Sequence, residues 1–164
     1  TGDPHWQGDH FSAHPVRGLR AMGRVYAGWA MSQAFYREKL FEQVGFSSLE
    51  DFLVRSWEAN FLRRDAHDLL ASLDTWQASD ISDNEIYRGD LAQALGAITA
   101  KSIVMPSRTD LYFTPEDSAL ETAQMPNAEF RPIESIWGHR AGNPSQNPED
   151  EAALRQAVRD LLRD

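Results

Sequence analysis

Apolar residues recur with a helical period through the first half of the chain. From Arg17 to Phe41, Leu19, Met22, Val25, Tyr26, Trp29, Ala30 and Met31 stand three and four residues apart, which predicts one amphipathic helix weakened by Gly23 and Gly28. Gly45 closes that helix, and Ser47, Ser48 and Glu50 supply helix-start chemistry for a second run on Leu49, Phe52, Leu53, Trp57 and Phe61. A third run begins near Asp65 and carries Leu69, Leu70, Leu73 and Trp76. Residues 1–16 show no such period: Gly2, Pro4, Gly8 and Pro15 break the chain too often for a regular element, and this stretch is expected to be a loop. The aromatic weight of the three helices implies that each buries one face.

Beyond the polar stretch 79–84 the pattern changes. Residues 88–98 can form a helix on Leu91, Ala94, Leu95 and Ile98; Ser102 to Met105 is a short apolar run ended by Pro106, as a buried parallel strand would be. Thr114-Pro115-Glu116-Asp117 starts a helix with proline in its first turn, Pro126-Asn127 turns into a strand from Glu129 to Ile136, and Asn147-Pro148-Glu149-Asp150 opens a C-terminal helix on Leu154, Val158, Leu161 and Leu162. The tail reads β-α-β-α, and a right-handed crossover lays its two strands parallel. Two parallel strands cannot cover both faces and both edges of a sheet, so the sheet is expected to continue, either in further polypeptide or across a dimer.

Composition narrows the chemistry. Of 164 residues 41% are hydrophobic and 25% charged, which excludes a wholly disordered or collagen-like chain, and the lack of cysteine excludes metal-thiolate sites and cysteine nucleophiles. The formal net charge of -9 argues against nucleic acid as the main partner. Charged residues interrupt every apolar stretch well short of the ~20 residues a membrane span needs. No basic-then-apolar leader opens the sequence, and a cysteine-free chain fits the cytoplasm.

Two residues stand at the ends of the two predicted strands: Asp110 in SRTDLYF and His139 in IWGHRAG. Functional groups of open α/β sheets gather outside the carboxyl ends of the strands, so adjacent parallel strands would bring the two side chains to one edge. A carboxylate beside an imidazole holds the ring in one tautomer and stabilises the imidazolium formed when the ring takes a proton from a nucleophile. The nucleophile itself is missing. No G-x-S-x-G occurs, and the nearest piece, Gly45-Phe46-Ser47-Ser48-Leu49, lacks the second glycine and precedes a helix rather than following a strand.

The chain resembles, along most of its length, the C-terminal half of the homoserine O-acetyltransferase-like branch of the α/β-hydrolase superfamily. Residues 1–10 resemble the segment that follows the sixth core strand, the Gly18-Leu19 helix and FLRRDAHDLLASLD the helical lid, SRTDLYFTPED the acid-bearing turn and IWGHRAG the histidine turn. The resemblance implies an α/β fold, the C-terminal portion of an α/β-hydrolase, in which 1–16 lead out of the core sheet, 17–84 form a helical lid, and 85–164 form a βαβα part of the core. It implies Asp110 as orienting acid and His139 as general base, with a serine upstream of Thr1 that becomes acylated and passes the acyl group to an acceptor hydroxyl. It also implies no resident cofactor, an acyl-CoA as a candidate acyl donor, a small-molecule substrate, an N-terminal half of the same enzyme as the necessary partner, and a homodimer through the lid helices. The chain alone would be inactive. Where that branch usually follows Gly-His with an aspartate able to pair with an acceptor ammonium, this sequence has Arg140, and a guanidinium there favours an anion over an amino-acid ammonium. Arg63 matches the branch's substrate-facing lid arginine, while the asparagine and tyrosine that follow it there are replaced by His67 and by Leu69 or its neighbour. A hydrolase on the same fold, with water as acceptor, is the alternative; the residues do not separate the two, and a non-catalytic helical dimerisation fragment is a third reading.

Other residue groups have simpler readings. His5, His10 and His14 with Asp3 and Asp9 match no helix-borne metal spacing and fit a solvated loop. Thr1 is followed by a Gly2-Asp3-Pro4 turn, unlike the strand that opens N-terminal-nucleophile enzymes.

Overall fold

A computed structural model describes residues 1–163. The chain divides into two compact units, one formed by Thr1–Gly28 with Lys39–Ser79 and the other by Trp29–Glu38 with the residues from Asp80 onward.

In the first unit the N-terminal loop closes on itself around Gly8, whose φ of 100° only glycine adopts readily, and a single antiparallel bridge joins Trp6 to Phe11. Helix α1 (Val16–Ala30) follows. Asp3, buried in the loop, anchors it: Oδ1 accepts the His5 N–H at 3.0 Å and Oδ2 the Gly18 N–H at 2.8 Å, one of the unpaired donors of the first turn. These bonds hold the Asp3 carboxyl below its ordinary pKa. After α3 (Leu40–Gln43) and the left-handed Gly45, Ser48 caps α4 (Leu49–Phe52) by accepting the Asp51 N–H at 3.1 Å. The helix then widens into a π-helical turn over Leu53–Glu58 before α5 (Ala59–Leu62). Gly23 of α1 packs against that turn so closely that a Cβ would stand 2.9 Å from the Trp57 carbonyl oxygen. The buried Glu58 carboxylate pairs with Arg24 and Arg20, as a desolvated charge must. Asp65 caps α6 (Ala66–Ala78) by accepting from His67 and Asp68. Leu19, Phe41, Phe52, Trp57 and Phe61 form the buried core of this unit.

The second unit begins where the expected continuous helix from Arg17 to Phe41 breaks. Ser32 leaves helical geometry (φ -75°, ψ 162°) and caps α2 (Gln33–Arg37) by accepting the Phe35 N–H at 3.0 Å. The same hydroxyl donates to the Ile136 carbonyl. This break is imposed by tertiary contact, which periodicity does not report. α7 (Leu91–Gly96), capped by Asp90, precedes β1 (Ser102–Val104); α8 (Pro115–Thr122), capped by Thr114, leads to β2 (Ala128–Phe130). The strands pair parallel with Ser102 opposite Ala128 and Val104 opposite Phe130. The expected strand to Ile136 is shorter in regular form because Pro106 and Pro132 lack amide hydrogens. Pairing nevertheless resumes at a Ser107–Ile133 bridge, where the Ile133 N–H donates to Pro106 O and the Arg108 N–H to Ile133 O, each at 2.9 Å. α9 (Pro148–Leu161), capped by Asn147, closes the unit. Ala30, Met31, Phe35, Ile133 and Ala141 are buried, and Trp137 meets Phe35 edge-on at 5.3 Å. No helix among the described residues is long and apolar enough to cross a membrane.

Candidate active site

The two strands end side by side, so the turns that follow them emerge at one edge. In the first, the Asp110 N–H donates to Ser107 O at 3.1 Å, and Asp110 Oδ1 accepts the N–H groups of Tyr112 at 2.7 Å and Phe113 at 3.1 Å. This Asx turn is the local structure that Asp favours. It fixes the carboxylate so that Oδ2 faces His139 Nδ1 at 3.0 Å. With both oxygens acting as acceptors, Nδ1 is the donor and Nε2 carries the free lone pair of the neutral ring.

His139 rides on a short 3₁₀ turn, Gly138–Gly142, after β2. Gly138 has φ 62°, and a Cβ there would lie 2.8 Å from Ser32 N and 3.0 Å from Met31 C, so only glycine lets the turn approach the 30–32 backbone. The Asp110 side chain is 5% exposed and that of His139 31%, so the carboxylate is shielded from water while the ring remains reachable. The rings of Tyr112 and Phe113 flank the imidazole, with centroids 4.7 and 5.5 Å away. An open cleft of about 380 Å³ runs past the pair, lined among others by Pro106, Ser107, Phe113, Glu121 and His139.

Behind the pair lies a set of hydroxyl contacts that sequence reasoning missed. Thr109 Oγ1 donates to Ser135 O at 2.9 Å and accepts the Gly138 N–H at 3.2 Å. Ser135 Oγ donates to Asp150 Oδ2 at 2.7 Å and accepts the Trp137 N–H at 3.1 Å; Asn147 Nδ2 donates to the same carboxylate oxygen at 2.8 Å. Burial raises the pKa of Asp150 against the lowering effect of these bonds. The available signal was the density of hydroxyl residues flanking Asp110 in SRTD.

The structure thus brings Asp110 and His139 together within one unit. Arg140 is half-buried beside them in sequence, and its Nε is buried with no hydrogen-bond partner among the described residues. Arg63 is exposed at the C-terminal end of α5 in the other unit. In the N-terminal loop His10 Nδ1 contacts Asp9, His14 Nε2 faces Leu62 O, and His67 Nε2 accepts the Phe11 N–H. Ser48, in the stretch nearest to a nucleophile motif, acts as a helix cap.

No family model matches the chain. It is 35% identical over 139 residues to a probable esterase of Corynebacterium glutamicum, covering 84% of this chain and 39% of the relative. It is 36% identical over 141 residues to the ethyl acetate hydrolase of Pseudomonas veronii, covering 85% and 40%. The crystal structure of the acetyl esterase MekB superposes with a TM-score of 0.91 at 32% identity, over 98% of this chain and 46% of that one. The homoserine O-acetyltransferase of Chloroherpeton thalassium is more distant, at 27% over 143 residues and 37% of its length. The chain therefore spans 39–40% of the length of the two curated esterase relatives. Its fold is the C-terminal portion of an α/β-hydrolase fold, helices with two parallel strands. The esterases are the stronger match, so the hydrolytic alternative gains over the acyltransferase reading that the sequence resemblance put first.

Proposed function

We propose that these residues supply the acid and the base of a serine-dependent hydrolase of small, uncharged carboxylic esters, whose nucleophile lies in polypeptide outside them. The observation that carries this reading is the Asp110 Oδ2–His139 Nδ1 contact at 3.0 Å, with the ring held in the tautomer that leaves Nε2 basic. The similarity to an ethyl acetate hydrolase and an acetyl esterase supports the substrate class. In the reaction, the serine oxygen bonds to the acyl carbon as its proton passes to Nε2. The bond to the leaving alcohol then breaks, and Nε2 returns the proton to the departing oxygen. The alcohol departs, and water then repeats both steps on the acyl-enzyme, releasing the acid and restoring the serine. Asp110 stays ionised throughout, orienting the ring and stabilising its cationic form.

Arg140 is proposed to act on substrate choice through its charge, which opposes the ammonium of homoserine. Arg63 is proposed to face substrate from the lid. The 164 residues by themselves are expected to be inactive.

Hydrolysis of p-nitrophenyl acetate by the complete polypeptide encoded with these residues tests the reading. His139→Ala should lower kcat by about 10⁶-fold and Asp110→Asn by about 10⁴-fold. Incubation with acetyl-CoA and homoserine should yield no acetylhomoserine. Unchanged hydrolysis in His139→Ala, or transfer to homoserine faster than hydrolysis, would overturn it.

A further inference from the structure

We propose that Thr109 is a positioning residue for the proton-transferring imidazole, acting as a clamp between the turn that bears Asp110 and the turn that bears His139. The proposal rests on the esterase reading above. Beside a longer Ser107 Oγ contact to Ser135 O at 3.4 Å and the exposed Arg108–Glu134 ion pair, consecutive residues make the links that reach the histidine itself: the Asp110 carboxylate holds the ring of His139, and the Thr109 hydroxyl holds the backbone that carries the ring. The hydroxyl hydrogen is directed to Ser135 O at 2.9 Å, which turns a lone pair to the Gly138 N–H at 3.2 Å. One side chain thus grips its neighbour turn on both sides of Trp137.

Three features make this more than an ordinary loop contact. Gly138 is buried, so its N–H has no water to fall back on if the hydroxyl is removed. It is also a glycine at φ 62°, and with no Cβ it can occupy several other φ wells, so an outside contact helps to select this one. Finally, threonine is β-branched, and its restricted χ1 holds the oxygen in place better than an unbranched side chain would. Since Gly138 directly precedes His139, a small rotation at its peptide moves Nδ1 away from its 3.0 Å contact and misdirects Nε2. Misplacement of a catalytic group by about 1 Å can lower a rate about a hundredfold.

The test uses Thr109→Val, which keeps the branched shape but neither donates nor accepts, with Thr109→Ser as the rescue. In the complete polypeptide, Thr109→Val should lower kcat for p-nitrophenyl acetate by about tenfold to a hundredfold with KM nearly unchanged. Thr109→Ser should return kcat to within about threefold of the parent. The His139 Nδ1–H proton resonance should move or broaden in the valine variant and recover in the serine variant. A valine variant with parental kcat and an unaltered Nδ1–H signal refutes the clamp, and so does a kcat loss that leaves that signal unaltered and that serine does not rescue. Parallel inactivity of His139→Ala shows that the triad reading stands when the clamp fails; if His139→Ala stays active, the Nδ1–H signal still judges the clamp by itself. Should the valine variant not fold, amide exchange of the parent decides: Gly138 N–H must be protected, and free exchange there would refute the proposal.

Discussion

Replacing Gly138 by alanine separates backbone strain from packing at the histidine turn. The added Cβ would lie 2.8 Å from Ser32 N, 3.0 Å from Met31 C and 3.1 Å from Ala30 O, all backbone atoms that cannot swing aside as a side chain end could. A non-glycine residue held at φ 62° costs about 1–2 kcal/mol, and forcing extra volume into a packed site typically costs about 1–3 kcal/mol. The two add to about 2–5 kcal/mol, a large part of the ~5–15 kcal/mol that separates a folded domain from its unfolded chain. With an m-value of about 2 kcal/mol/M, the urea midpoint should fall by about 1–2.5 M. Gly142→Ala in the same turn is the control: no atom lies within 4 Å of its added Cβ and its φ is unremarkable, so its midpoint should move by less than about 0.3 M. Urea titrations followed by tryptophan fluorescence make the comparison. A Gly138→Ala midpoint within about 0.3 M of the parent would show that the 30–32 and 138 backbones are not in the contact described, and the account of why the first helix breaks at Ser32 would fall with it.

Two buried carboxylates should impose opposite pH slopes. Asp150 has its pKa raised by burial, so the folded state binds its proton more tightly than the unfolded chain does. Its carboxyl therefore favours folding below the unfolded pKa, and that contribution is lost as pH rises through the carboxylate range to the folded value. Asp150→Asn, whose amide oxygen can still accept from Ser135 and Asn147, should remove this term and gain stability relative to the parent at about pH 7 compared with about pH 4; an equal difference at both pH values would contradict it. Asp3, lowered by the N–H bonds from His5 and Gly18, behaves in the other sense. Its stabilisation is present above the unfolded carboxyl pKa and disappears as pH falls through the folded one, so Asp3→Asn should lower the urea midpoint at neutral pH and cease to matter in acid. Persistence of the difference in acid would mean that the anchor does not depend on the charge.

Where structure follows from short-range rules, the sequence carried it. Ser48, Asp65, Thr114 and Asn147 each cap the helix that begins after them, because an oxygen two or three residues from an unpaired N–H needs nothing else to bind it, whereas the helix expected over 88–98 begins only at Leu91, after an Asp90 cap. The two short parallel strands and their order were likewise legible from apolar runs bounded by proline and turn residues. The continuous helix to Phe41 was not, because its interruption at Ser32 depends on Ile136 and Gly138, more than a hundred residues away. Nor could spacing reveal the π-helical turn at Leu53–Glu58, since Leu53, Trp57 and Phe61 at steps of four suit either helix, and the close passage of Gly23 over Trp57 is a tertiary contact.

The site divides along the same line. Asp110 and His139 could be matched because their chemistry is carried by residue type and their placement by strand order: two parallel neighbours must present their C-terminal turns at one edge. What makes the pair rigid has no such type-specific mark. Thr109 and Ser135 look like ordinary turn residues, and only the folded structure shows that each also reaches a second segment. The same division bears on substrate. A charge reversal at Arg140 is visible in one letter and argued against an ammonium-bearing acceptor, but the aromatic walls that Tyr112 and Phe113 set beside the imidazole arise from the Asx turn that Asp110 itself makes. One carboxylate thus orients the base through Oδ2 and, through Oδ1, folds the turn that places two rings against it. Coupling of that kind predicts that substitutions at Asp110 will disturb the apolar wall as well as the imidazole, whereas substitutions at His139 will leave the wall in place.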